Sequence, residues 1–284
     1  MELLTLARPS GHGVTGVLHE RGLIQGPALG LSALHDTMQV LSEIPAHELR
    51  QRIDRAPDSS FSVHPTVRLQ APYLHPRKIW GIGINYAEHA ADLGAAVPEG
   101  EPASFIKGDH TIIGDGDQIP LPAQSGRVTA EAELGLVIGR YCRNVDVHQA
   151  LSYVWGACAI LDQTAEDILM RNPRYLTRAK NFPGFFSFGP GITPVNELLE
   201  RNGGRLEDVV VSTVLNGQPI HTNTVANMLF PPAYLVAFHS QVMPLFPGDI
   251  LSTGTPGAVS VKPGDIVSAR ISGLTELANS VVSS

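Results

Sequence analysis

The sequence predicts a β-rich α+β fold, with a small α/β unit over residues 1–70 and a larger unit over residues 71–284. Three observations carry this. First, the 284 residues include 28 Gly and 22 Pro, a density of turn formers that leaves little room for long helices. Second, short apolar runs recur between turn signals, as in Lys78–Ile84, Glu131–Gly139 and Trp155–Leu161. Third, 43% of the residues are hydrophobic and 17% charged, enough apolar material for a sizeable core.

The totals also bound function. A net charge of -7 argues against a nucleic-acid partner, and the scattered acids make no acidic tail. No basic leader with an apolar core opens the chain, and no apolar run reaches the length of a membrane span. Only Cys142 and Cys158 are present, so no disulfide framework is expected and the cytoplasm is the default location.

In the N-terminal unit, Val14–Leu18 and Gly22–Ile24 read as short strands around a turn. Apolar spacing predicts helices over 31–41 and 46–53, the second opened by Pro45. His12, His19, His35, His47 and His64 are isolated and read as surface or local structure, and a stretch from Ala56 to His64 closes the unit.

Lys78–Ile84 reads as a buried strand. Asn85 then reads as a helix N-cap, with Glu88 as capping-box partner and Gly94 as the stop. That helix would put His89 and Asp92 on one face, at i and i+3. A carboxylate beside an imidazole orients it and raises its basicity, as a general base requires. An ordinary surface His–Asp contact has the same spacing. Ser104–Lys107 is a strand candidate and 114–117 a turn.

The centre of the sequence is Glu131-Ala132-Glu133 at the head of an apolar run. Strand side chains alternate, so Glu131 and Glu133 share a face. Two anions on one face repel unless a cation lies between them, and hard divalent cations prefer oxygen ligands. A solvated strand face is the alternative. Asp162 ends the next buried run, and Thr164–Asp167 reads as the cap of a helix that Pro173 terminates. Lys180 precedes a Gly/Pro/Phe loop, Pro183 to Pro190, apolar enough to be buried in a partner or pocket. Val209–Leu215 alternates into a tight Asn216-Gly217 hairpin turn. Pro232–Val242 reads as a helix, and Asp249 and Asp265 as turn residues. A Gly-Lys-Ser/Thr phosphate loop, a Gly-x-Ser-x-Gly elbow and a His-Glu-x-x-His zinc motif are all absent from the sequence.

Taken in order, the segments Asn85-Tyr86-x-x-His89-Ala90, Phe105-x-Lys107-Gly108, Glu131-x-Glu133-Leu134, Asp162, Lys180 before Phe182, Gly189-Pro190, Asn216-Gly217, Pro247-Gly248-Asp249 and Thr253-Gly254-Thr255-Pro256 resemble the fumarylacetoacetate hydrolase family. The likeness spans roughly residues 75–280, and residues 1–70 resemble the variable N-terminal domain of its longer bacterial members. It implies a mixed β-sandwich roll, usually in a homodimer. It implies Mg²⁺, with Mn²⁺ or Ca²⁺ as alternatives, on Glu131, Glu133 and Asp162. The resemblance gives His89 a base role on a lid, with Asp92 beside it, and assigns Lys180 to substrate or developing negative charge. Tyr86, Lys107 and Thr255 fall at substrate-binding positions.

The implied reaction is hydrolysis of a carbon–carbon bond in a 2,4-dioxo acid or β-diketone of the acylpyruvate or fumarylpyruvate type. Decarboxylation, dehydration or tautomerisation of a 2-keto acid through the same metal enolate is the alternative, and a metal-binding relative without catalysis is a third reading. Two departures stand out. Where many members read Asp-x-Ser-x-Arg-Asp-x-Gln, this chain has Glu166 at the Arg position and Leu169 at the Gln position. The usual Lys-x-Phe-Asp reads Lys180-Asn181-Phe182-Pro183.

Overall fold

The computed structural model describes residues 1–7, 13–31, 36–62, 68–92 and 97–283. Two long strands organise it. Val128–Ile138 and Val154–Ala165 are buried along their whole lengths and pair antiparallel, with Glu131 opposite Asp162. Burial on both faces explains why the apolar residues of these strands run nearly continuously.

These strands sit in the middle of a twelve-stranded sheet. On one side follow Ile250–Ser252, Ile79–Gly83 and the edge strand Ala103–Lys107. On the other follow Phe186–Pro194, Glu2–Leu6, Val14–His19 and Gly22–Gln25. A second, five-stranded sheet runs Gln218–Thr224, Val210–Leu215, Ile266–Ile271, Leu277–Ser283, Gln118–Leu121.

The two faces of the central strands have different covers. Ala130, Ala132, Leu134 and Leu136, with Ala157, Ala159 and Leu161, pack against Val211, Val267, Ala269 and Leu277 of the smaller sheet. On the opposite face Val137, Cys158 and Ile160, with Phe186 and Phe188, pack under Leu3, Val17, Val40, Leu41, Leu49 and Ile53 of the N-terminal unit. That unit is joined to the larger one through the sheet itself, Leu3 pairing with Ile192 and Leu4 with Gly191.

Several local expectations meet a different outcome. Only the first three residues of the 183–190 stretch are turn or loop: Phe186–Pro194 is a strand between Glu2–Leu6 and Val154–Ala165. Phe185, Phe186 and Phe188 are fully buried within this chain, so their rings are not offered to a partner. The first helix runs Thr37–Glu43, capped by a reciprocal Asp36–Gln39 box. Residues 32–35 of its expected range lie outside the described residues, as do His12, His35, His64 and Gly94. Pro45 is the N-cap of Ala46–Arg55 rather than its first helical residue. The Asn216-Gly217 hairpin forms with positive φ at both turn residues, and Pro232–Val242 is a helix over that span. No helix among the described residues is long and apolar enough to cross a membrane.

Candidate active site

The site lies on the same face of the central strands as Val137, Cys158 and Ile160, at the end that the N-terminal unit leaves uncovered. Alternation puts Glu131 and Glu133 on this face, and pairing puts Asp162 opposite Glu131. Ligand oxygens of all three buried carboxylates lie within 4.8 Å of one another. Such a set of hard oxygen donors, with no Cys or His among them, fits a hard divalent cation.

Two ammonium groups reach the same carboxylates. Lys180 Nζ donates to Asp162 Oδ2 at 2.7 Å and Glu131 Oε2 at 2.8 Å. Lys107 Nζ, from the edge strand, donates to Asp162 Oδ1 and to Gln163 O, the latter at 3.1 Å. Thr164 Oγ1 donates to Glu131 Oε1 at 3.2 Å. Glu133 accepts from Ser252 Oγ at 2.5 Å and from Gly254 N–H at 2.8 Å. Gly254 has φ +98° and backs onto Asn85 Cβ, where a side chain would clash at 2.6 Å.

Burial and mutual charge set the protonation tendencies. Burial, then the neighbouring charge of Asp162, pushes Glu133 up to about 8. Burial pulls Lys107 down to about 8 against the pull of Asp162. For Lys180 burial also acts downward, but Asp162, Glu131 and Glu133 outweigh it and hold the ammonium above its ordinary range. Asp162 stays below the carboxylate range because Lys107 and Lys180 overcome its burial.

Of the other predicted residues, Tyr86 lies near Glu133 and Thr255 follows Gly254, whose N–H holds that carboxylate. His89 is buried on the helix Ala87–Asp92. The side chain of Asp92 lies outside the described residues. Tyr86 is fully buried at the head of that helix, where burial and then Glu133 raise its hydroxyl above the usual range. The Thr255 hydroxyl donates to Gly257 O and accepts from Gly257 N–H, tightening its own turn.

Two caps expected from sequence do other work. Asn85 does not cap its helix with its side chain; it donates to Phe230 O and Thr253 O and accepts from Phe230 N–H. The head of the His89 helix is thereby pinned to the loop that holds Glu133. Thr164 likewise is no cap, because pairing with Thr129 carries the strand on to Ala165 and turns its hydroxyl toward Glu131. Asp162 consequently sits inside a strand rather than at its end.

Sequence reasoning missed the contacts of Lys107 with Asp162, Ser252 with Glu133, and Arg127 with Glu166, the last at 2.6 Å. Pairing signals could have found the third, since Glu131 opposite Asp162 leaves 127 and 166 at the same end of the ribbon. Near the Glu166 position, Arg171 pairs with Asp167 and Arg178 donates to Gln124.

Comparison with known proteins agrees with this geometry. The family model described as fumarylacetoacetate (FAA) hydrolase C-terminal matches residues 78–282. The chain belongs to the fumarylacetoacetate hydrolase family. A Burkholderia orbicola protein bearing a hydrolase name is 35% identical over 260 residues, covering 91% of this chain and 88% of that one. Among solved structures, 5-carboxymethyl-2-hydroxymuconate delta-isomerase from Mycobacterium smegmatis is 30% identical with TM-score 0.75, covering 100% of this chain and 99% of that one. Maleylpyruvate hydrolase from Sphingobium sp. SYK-6, in complex with manganese(II) ion and pyruvate, is 25% identical with TM-score 0.82 and the same coverage. The family and these relatives mark an enzyme of the hydrolase or isomerase type, with a buried acidic triad suited to a divalent metal.

Proposed function

We propose that this chain is a Mg²⁺-dependent hydrolase that cleaves a carbon–carbon bond in a 2,4-dioxo acid or related β-diketone of the acylpyruvate or fumarylpyruvate type. The observation that supports it most is the buried triad Glu131, Glu133 and Asp162 with two lysines on its rim. The triad would hold the ion, and Mn²⁺ fits the same donors. Once bound, a divalent ion supplies Lewis-acid polarisation to a chelated dicarbonyl. His89 takes the proton of the attacking water, and Asp92 orients the imidazole. Lys180 faces the negative charge that develops on the leaving enolate. Tyr86, Lys107 and Thr255 hold substrate.

The isomerase relative favours a second reading, in which a keto acid loses a proton or CO2 to give an enolate that is then reprotonated or expels a β-hydroxyl as water, without attack by water on carbon. The test is a panel of acylpyruvates, fumarylpyruvate, oxaloacetate and 2-keto-3-deoxy sugar acids with Mg²⁺ or Mn²⁺, products identified by mass. Two-fragment products from acylpyruvates support hydrolysis. Loss of CO2 from oxaloacetate, loss of water from the sugar acids, or tautomerisation at unchanged mass supports the second reading. The same proposal includes a homodimer in the cytoplasm, and light scattering that reports a monomer at micromolar concentration would remove the dimer.

A further inference from the structure

Asn181 directly follows Lys180, and its side-chain amide reaches the edge strand on which Lys107 sits. Its Oδ1 accepts from Gly108 N–H at 2.7 Å, and its Nδ2 donates to Ile106 O at 3.2 Å. These two backbone groups flank Lys107. The same Nδ2 donates to Thr177 O at 2.8 Å, closing the helix Leu176–Lys180. His110 Nε2 meets Asn181 O at 2.9 Å on the same turn.

Ala103–Lys107 is the last strand of its sheet, so its outward backbone groups have no further strand to pair with. The Asn181 amide supplies what a neighbouring strand would, an acceptor for residue 108 and a donor for residue 106. Both lysines that meet on Asp162 are therefore fastened to one side chain, although they are 73 residues apart in sequence. Other contacts on the carboxylates are independent of it: Ser252 and Gly254 hold Glu133, and Thr164 holds Glu131.

We propose that Asn181 is a positioning residue that holds Lys107 against Asp162 at a fixed offset from Lys180, so that Asp162 is shared between ammonium and metal. The inference rests on the metal-dependent reading above. Releasing Lys107 should hurt turnover yet free charge on Asp162 for a cation, and these opposite signs separate positioning from general support of the fold.

The experiment is a double-mutant cycle of Asn181→Ala and Lys107→Met on the full chain. It reads kcat and KM on an acylpyruvate and, separately, the Kd of Mn²⁺ alone by calorimetry. Asn181→Ala should lower kcat/KM about tenfold to a hundredfold, with KM raised because Lys107 is a proposed substrate contact. It should tighten Mn²⁺ about three- to tenfold, because a positive charge has moved off a ligand. In the Lys107→Met background it should change neither by more than about twofold. His110→Ala, which loses only a contact to the Asn181 carbonyl, should match wild type. If Asn181→Ala does not fold, Asn181→Ser takes its place with the same signs expected.

Weaker Mn²⁺ binding in Asn181→Ala, or an undiminished effect in the Lys107→Met background, would overturn the proposal. A wild type that binds Mn²⁺ but turns over no keto acid removes the functional reading and leaves the Kd cycle to decide. A wild type that takes no Mn²⁺ overturns both.

Discussion

One face of the central strand pair has two unlike ends. At one end Val137, Cys158 and Ile160 disappear under the N-terminal helices and strands. At the other end Glu131, Glu133 and Asp162 meet two lysines. Both ends are buried strand of one antiparallel pair, the apolar end carrying a bulge between Val154 and Gly156. The difference lies in what arrives from elsewhere in the chain: apolar side chains at one end, ammonium and hydroxyl donors at the other. A strand face can thus carry a hydrophobic core and a buried charge cluster a few residues apart, provided each end receives partners matched to it.

Four substitutions sharpen that contrast. The largest effect is expected for Asp162→Ala, which removes a proposed metal ligand, takes from the buried Lys107 ammonium its carboxylate partner and leaves Lys180 with Glu131 alone. Activity should fall by about 10³-fold or more, Mn²⁺ binding should be lost, and stability should drop by about 3–5 kcal/mol in urea unfolding. Wild-type turnover in a chelated preparation would contradict the metal's part in this. Next, His89→Ala should lower kcat about 10²–10⁴-fold while calorimetry finds Mn²⁺ affinity unchanged. Hydrolysis within a few-fold of wild type would end its role with water.

At the apolar end Phe188→Ala should cost about 3–5 kcal/mol of stability, because the ring is fully buried and meets Tyr73 edge-on at 5.1 Å. Its Mn²⁺ affinity below the melting range should equal that of wild type, and a tenfold change would show that the two ends are coupled. The smallest effect belongs to Thr164→Val. Losing one of the hydrogen bonds on Glu131 should weaken Mn²⁺ by about 1 kcal/mol, read by titration calorimetry.

The contrast also explains what could be read from the sequence. Strand alternation alone put Glu131 and Glu133 on one face, and the Asn-Gly turn and the Pro232–Val242 helix are local signals that survive into the fold. Lys107 lies 55 residues from Asp162, and no local pattern announces that an edge strand will bring it there. Thr164 looked like a helix cap because capping residues are recognised by sequence, whereas pairing with a distant strand decided its conformation. Gly and Pro masked the strand at 186–194 for the same reason: its partners on both sides, not its own propensity, make it a strand.

The pairing of Leu3 with Ile192 has a kinetic consequence. These residues are separated by roughly 190 positions, so the first strand leaves the ribosome about 10–40 s before its neighbour at the usual pace of synthesis. Until then its outer edge is a template open to any other strand. Folding of this chain therefore waits on a strand pairing of long sequence separation, and it should be slow and prone to mispairing early, since closing distant strand pairs limits the rate. Refolding yield that falls steeply with protein concentration would be its mark.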